Sequence, residues 1–364
     1  MPMSLHPADA PVRTPTASAP PWGAAAAAGV SQQPCATPWL VADIGGTNAR
    51  FGWVASPGAP IEHVQTLRCA EYAGPAEAAQ AYLAPLAARL GPQWQAPRAA
   101  AFAVATAVGA DRVAFTNSGW AFSRRETAQA LALDELLLLN DFAALALSLP
   151  TLAPAQLRVQ GSWPEQPATL AVVGPGTGLG VAALVPTAHG WVPVPGEGGH
   201  VTLASADSEE RALLDAALRL MAEDAGQPAH VSAERLLSGI GLPLLHRATA
   251  AVLGQAVSPL ATPEIVQQGL AGDVVCSRTL DHFCALLGGF AGNVALTTGA
   301  RGGVFIGGGI VPRLGDRFFA SRFRARFEAK GRFAGYLGAI PTAVILDTHT
   351  ALAGAAAALA QIGH

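Results

Sequence analysis

Asp43, Asp141, Glu197, His200 and Glu234 stand where glycine or the end of an apolar run leaves a polar side chain open to a ligand. Asp43 is the last polar residue before the turn Gly45-Gly46-Thr47-Asn48. A carboxylate beside glycine can stabilise its turn. It also suits a hydrated Mg²⁺ that bridges phosphate oxygens, since that ion takes hard oxygen ligands. Asp141 follows Asn140 at the end of the apolar run Leu136–Leu139. There it either projects into a cleft between elements or caps a helix starting at Phe142. Glu197 and His200 share the loop Pro195-Gly-Glu-Gly-Gly-His200. A metal would need a third or fourth ligand, and none is nearby in sequence. A carboxylate that accepts and an imidazole that donates or accepts suit sugar hydroxyls better. Glu234, two residues after Ser232, reads by itself as a favourable charge in the first turn of a helix.

The elements that would position these groups are strands joined by glycine. Leu40–Val54 runs from an apolar strand through Gly45-Gly46-Thr47 into a second strand, and Leu170–Leu184 repeats the design around Gly176-Thr177-Gly178. Such turns leave backbone N–H groups unshielded, because glycine has no Cβ to keep a ligand away. Phosphates are the natural ligand, and two such hairpins suggest a cleft that grips a nucleotide phosphate chain from both sides. A further turn, Gly307-Gly308-Gly309, follows the strand Val304–Ile306. Neither hairpin is followed by the lysine of a P-loop. The second turn leads into a strand, not into the helix of a dinucleotide fold. Hairpin amides, the Thr47 and Thr177 hydroxyls and a metal would therefore hold the phosphates.

Between these turns strands alternate with helices, which argues an α/β fold. Helices are expected at Pro75–Leu90, at Ser123–Leu131 with Ser123 and Glu126 as a capping box, at Ser208–Glu223, opening at Ser232, at Ser277–Leu296 and at Ala351–Ile362. Strands are expected at Ala99–Val108, at Val113–Phe115 before a turn at Asn117-Ser118-Gly119, and at Pro341–Leu346. With 364 residues and 51% hydrophobic residues the chain can fill two domains. A net charge of −3 with 13% charged residues provides no basic face, which argues against a nucleic-acid partner. No apolar stretch reaches the ~18–20 residues of a membrane span. Cys35, Cys69, Cys276 and Cys284 show neither CxxC nor zinc spacing and read as reduced thiols of a cytoplasmic protein. The first 38 residues, mostly Ala, Pro, Ser and Thr, read as a disordered leader.

Asp43-Ile-Gly-Gly-Thr-Asn-Ala-Arg50, Leu139-Asn-Asp-Phe142, Gly174–Gly180, Gly196-Glu-Gly-Gly-His200, Ser232-Ala-Glu-Arg-Leu-Leu-Ser-Gly239 and Gly302–Arg313 resemble, in this order, the bacterial glucokinase family. That family sits in the superfamily of sugar kinases, acetate kinase and actin-like ATPases. The resemblance spans Val41 to Gly363 and implies an ATP-dependent kinase that phosphorylates the C6 hydroxyl of glucose. It implies a two-domain actin-like, ribonuclease H-like fold around a cleft, usually as a homodimer. The domains would be 38–150 joined by 345–364, and 151–344, after a leader of 1–37. Asp141 would be the general base. Asn140, Glu197, His200 and Glu234 would bind the other sugar hydroxyls. Asp43, Gly45, Gly46, Thr47, Asn48, Gly176, Thr177 and Gly178 would hold the ATP phosphates, with Asp43 toward Mg²⁺, and Gly307, Gly308 and Gly309 would lie near the adenosine. Ala105–Gly109 lacks the proline usual in the family, and Asp347–Gly354 replaces a more glycine-rich pattern. The zinc-cysteine cluster of the related repressor-and-kinase family is missing. Rival readings are a kinase for another hexose, a non-catalytic sugar-sensing regulator and an actin-type ATPase. Hairpin amides would accept ATP or polyphosphate alike.

Overall fold

A computed structural model describes residues 15–21, 37–106, 108–115, 119–225, 230–347 and 350–362. The chain opens with β1 (Trp39–Ile44), β2 (Asn48–Val54) and β3 (Ile61–Arg68), followed by α1 (Pro75–Leu90). Next come β4 (Ala99–Val104), a small hairpin of β5 (Arg112–Ala114) and β6 (Ala121–Ser123), α2 (Arg124–Ala130), β7 (Glu135–Asn140) and α3 (Asp141–Ser148). The second half runs β8 (Leu157–Gln160), β9 (Leu170–Pro175), β10 (Leu179–Thr187), β11 (Gly190–Gly196), α4 (Ser208–Ala225), α5 (Leu242–Val252), α6 (Thr262–Ala271) and α7 (Val274–Thr298). It ends with β12 (Gly303–Ile306), the short helices α8 (Val311–Leu314), α9 (Asp316–Ala320), α10 (Phe323–Glu328) and α11 (Ala334–Gly338), then β13 (Thr342–Ile345) and α12 (Thr350–Gln361).

The strands form a five-stranded sheet, β3-β2-β1-β4-β7, and a six-stranded sheet, β11-β10-β9-β12-β13-β8. Each sheet repeats one plan: three antiparallel strands, then two joined in parallel. β1 and β9 each lie between a hairpin partner and a parallel crossover strand. The glycine turns thus sit at the carboxyl ends of β1 and β9, where strand order reverses and ligands gather in open α/β sheets.

α3 and α12 pack on each other between the sheets. A Cβ at Gly354 of α12 would collide with the carbonyl of Ala144 in α3, so glycine permits this close approach. Leu352, Ala355 and Leu359 of α12 complete a buried cluster with Trp39, Val41, Val54, Ala99 and Ala101 of the first sheet. A separate core of Tyr82, Phe51, Phe102 and Leu40 lies on that sheet's other side under α1. The largest apolar cluster gathers α4 to α7 and the short helices on the second sheet.

Some expectations are corrected. No helix opens at Ser232, because the donors there are spent elsewhere: Glu234 N–H reaches Gly199 O at 2.9 Å and Gly239 N–H reaches Gly176 O at 2.7 Å. α5 begins only at Leu242. The strand expected over Ala99–Val108 stops at Val104, where Thr106 N–H turns back to the Val104 carbonyl at 2.8 Å. The capping box at α2 is half formed: Ser123 Oγ accepts from Glu126 N–H at 3.1 Å, and Ser123 itself donates to Asp111 at 2.6 Å.

The leader is also corrected in part. Within it, residues 15–21 have a defined course along the free edge of β8. Thr16 and Val159 exchange two backbone hydrogen bonds of 2.7 Å each, and Trp163 Nε1 donates to Ser18 Oγ at 3.1 Å. Cys35 and the rest of the expected leader through 36 lie outside the described residues, as do Asn117 and Ser118 of the expected turn at Asn117-Ser118-Gly119. Cys69, Cys276 and Cys284 are buried free thiols. Among the described residues no helix is long and apolar enough to cross a membrane.

Candidate active site

The first sheet places two carboxylates at one end by register alone. Ile44 pairs in parallel with Val104, and Val104 with Asn140. The ends of β1 and β7 are therefore level and two strand spacings, about 10 Å, apart. Asp43 leaves β1 beside the first glycine turn, and Asp141 opens α3 straight after β7.

Asn140, not Asp141, is the cap of α3. Its Oδ1 accepts from the N–H groups of Phe142 (3.0 Å) and Ala143 (3.3 Å), while its Nδ2 donates to Thr106 O at 3.4 Å. Capping consumes the Asn140 oxygen, so the cap does not require Asp141. Asp141 Oδ1 accepts from Phe142 N–H at 2.9 Å. Burial pushes its carboxyl up to about 6; that amide bond pulls the other way, and the negative charges of Asp43 and Glu197 add to the rise. A carboxyl poised near neutrality is suited to proton transfer.

Around the first turn, Asp43, Gly45, Thr47 and Asn48 line a cavity of about 190 Å³ together with Arg50. Gly46 lies in the same turn, and the Thr47 and Asn48 side chains are exposed. Asp43 faces Arg50 across the β1–β2 ladder, and their side chains meet at 3.3 Å. Arg50 adds a cation to this pocket that no argument from the turn alone supplied. Its signal in the sequence was its position, seven residues beyond Asp43, directly opposite across a tight hairpin.

The second turn is built differently. Gly174 and Gly180 pair across β9 and β10, and the Phe142 ring lies against both. Gly178 accommodates Glu234: a Cβ there would overlap Glu234 Oε2, and that same oxygen accepts from Leu179 N–H at 2.9 Å. Gly176 stays open and Thr177 is exposed. The Gly307–Gly309 turn stacks directly on this hairpin. Gly307 N–H donates to Val173 O at 2.9 Å, and Gly308 holds φ at 76° with no room for a Cβ beside Pro175 O.

Glu197 and His200 follow β11, the edge strand beside β10, and their side chains meet at 3.9 Å. They are 76% and 62% exposed, so both face open solvent. Gly199 between them is buried, and a Cβ there would run into Leu179 O, which ties this loop to the second hairpin. Glu234 comes from the turn segment packed under the same hairpin and lies beside Leu179, not at a helix start. The structure thus sets Asp43 and Asp141 at the same end of the first sheet by register and links Glu234 to the second turn. Phe142 was overlooked because its partners lie on another sheet.

A family model described as Glucokinase matches residues 40–362. The glucokinase of Chromobacterium violaceum is 48% identical over 330 residues, covering 90% of this chain and 91% of that protein. The glucokinase of Paramagnetospirillum magneticum is 49% identical over 322 residues, covering 87% and 96%. Among solved structures, a glucokinase from an Antarctic psychrotroph overlays with a TM-score of 0.79 at 38% identity, covering 89% and 98%. Fold and matches together define an ATP-dependent sugar kinase of the two-domain α/β type. The chain belongs to the glucokinase family.

Proposed function

We propose that this chain transfers the γ-phosphoryl group of ATP to the C6 hydroxyl of glucose, with Asp141 as the general base. The observation that carries the reading is the family match over residues 40–362, together with the register that sets Asp43 and Asp141 at one end of the first sheet. Burial, with the charges of Asp43 and Glu197, raises the Asp141 carboxyl toward neutrality. A base placed between a phosphate side and a sugar side is what in-line phosphoryl transfer needs, since such transfer depends on positioning and charge stabilisation.

The Gly45 and Gly176 N–H groups close their own turns onto Asn48 O and Gly178 O at 2.9 Å each, so in this reading the other turn amides, with Thr47 and Thr177, hold the ATP phosphates, and Gly307–Gly309 flank the adenosine. Glu197, His200, Glu234 and the Asn140 amide group bind the remaining hydroxyls. As the C6 oxygen attacks phosphorus, its proton passes to Asp141, and the bond to the ADP oxygen breaks. Arg50 faces the same phosphates from β2.

Mg²⁺ fits this site as a metal that arrives with the nucleotide. Among the described residues no group of three or more His, Cys, Asp or Glu could hold an ion. Asp43 is 26% exposed in a cavity it lines with Gly45, Thr47, Asn48 and the Arg50 cation, so an ion there would share the carboxylate with Arg50 and draw its other ligands from phosphate oxygens and water. When bound it would neutralise charge on the phosphates.

We further read 38–150 with 345–364 as one domain and 151–344 as the other, a cytoplasmic location, and a homodimer as the assembled state. Two assays test the activity. Asp141→Ala should bind glucose within a few-fold of the parent by calorimetry while kcat collapses, because the base acts on the transition state; a loss confined to binding refutes the assignment. Across a panel of glucose, fructose, mannose and amino sugars, the highest kcat/KM should fall to glucose. Preference for another hexose would move the chain to that substrate.

A further inference from the structure

Phe142 stands at the joint between the two halves of the site. Its backbone N–H donates both to Asn140 Oδ1 at 3.0 Å and to Asp141 Oδ1 at 2.9 Å. Its ring reaches the other way, onto the second sheet. A Cβ at Gly174 would lie 2.5 Å from ring atom Cζ and 2.7 Å from Cε1. A Cβ at Gly180 would overlap Cε2, Cδ2 and Cζ of the same ring. Gly174 and Gly180 are cross-strand partners in the β9–β10 ladder, immediately below the turn Gly176-Thr177-Gly178. These two glycines therefore form a flat seat for one aromatic ring, which glycine in a strand permits where another group must approach closely. The phosphate reading does not require either of them.

We propose that Phe142 is a positioning residue for phosphoryl transfer, its ring seated on the second nucleotide hairpin while its amide holds the Asp141 carboxylate. The inference rests on the reading of Asp141 as the base. A displacement of the ring moves the start of α3, and with it the carboxylate, relative to the hairpin that carries the phosphates. Because the ring touches neither sugar nor nucleotide in this scheme, its loss acts on the geometry of transfer and leaves the binding of each substrate in place.

Steady-state kinetics with glucose and MgATP, run on the full chain, test this. Phe142→Leu should lower kcat about 10- to 100-fold, the size expected of an ångström-level misplacement. KM for glucose and for ATP should each stay within about threefold, the pattern of an interaction made in the transition state. Gly180→Ala should lower kcat similarly by pushing the ring from its seat. Phe142→Leu combined with Gly180→Ala should be faster than Gly180→Ala alone, approaching Phe142→Leu, since the added methyl fills space the ring has left. Phe142→Met serves in place of Phe142→Leu if the latter does not fold, judged by thermal melting.

Single variants with kcat near the parent would overturn the proposal. So would a loss carried wholly by raised KM values, or a double variant no faster than Gly180→Ala. Asp141→Ala, measured alongside, separates the two levels. If it is inactive while Phe142→Leu is near normal, only the positioning role fails. If Asp141→Ala itself keeps its kcat, the base assignment fails first.

Discussion

Asp141 holds a carboxylate in a place that disfavours its charge, and this has consequences for rate and for stability. Its carboxyl is raised to about 6, mainly by burial, with Asp43 and Glu197 adding repulsion. In the proposed mechanism Asp141 acts in its base form, so kcat/KM for glucose should fall as pH drops through about 6; a profile flat down to pH 4.5 would exclude Asp141 as the titrating base. The stability effect has the opposite direction. The unfolded chain releases this proton near the ordinary value of 3.8, below the folded value. Between the two, the folded state binds more proton, so this group's contribution falls as pH rises and its cost is complete above about 6. Asp141→Asn keeps an oxygen for the Phe142 amide and removes the charge. It should melt at a higher temperature than the parent at pH 7.5, with the gap closing by pH 4. A variant that melts lower at pH 7.5 would contradict this. Glu234 differs: its Oε2 holds Leu179 N–H at the second turn. Removing that acceptor leaves a buried donor unpaired, worth about 1–3 kcal/mol. Glu234→Ala should therefore raise KM for ATP as well as for glucose. A change in glucose KM alone would show that its bond to the hairpin carries no weight.

Among the elements, the pair α3 and α12 determines how firmly Asp141 is mounted, because α3 begins with Asp141 and α12 braces it. Their contact closes on Gly354, where a Cβ would meet the Ala144 carbonyl. Gly354→Ala should cost about 1–3 kcal/mol by overpacking, read as a lower urea midpoint with unchanged slope; an unchanged midpoint would show that the helices shift freely. The elements that could be read from sequence are those with local signals. The hairpins at Gly45–Thr47 and Gly176–Gly178, α1 with its stop at Gly91, and α12 all announce themselves by glycine, proline and period. What was hidden depends on distant partners. Residues 232–241 carry helix-forming composition, yet Gly199 and Gly176 take their backbone donors. The 15–21 strap is too poor in apolar residues to signal order, and its order comes from the β8 edge it covers. Likewise the sequence supplies no reason for glycine at 174 and 180; the reason becomes visible only when the Phe142 ring is seen against both.

At the scale of the whole molecule, the proposed reading sets a phosphate side at the glycine turns and a sugar side at Glu197 and His200, the latter largely exposed. Glu197 and His200, with 76% and 62% of their side chains exposed, could not exclude water from a bound hexose as they stand. Glucose should draw the domains together, shielding the transferring group from hydrolysis. Small-angle scattering should record a smaller radius of gyration with glucose than without; identical curves would argue for a preformed site. The most direct measurement is ADP release from the full chain supplied with MgATP, with and without glucose, beside Asp141→Ala. Rapid release should require glucose, yield glucose 6-phosphate, and fall about 10²- to 10⁴-fold in the variant. Release indifferent to glucose, or a variant as fast as its parent, would contradict a hexose kinase working through Asp141.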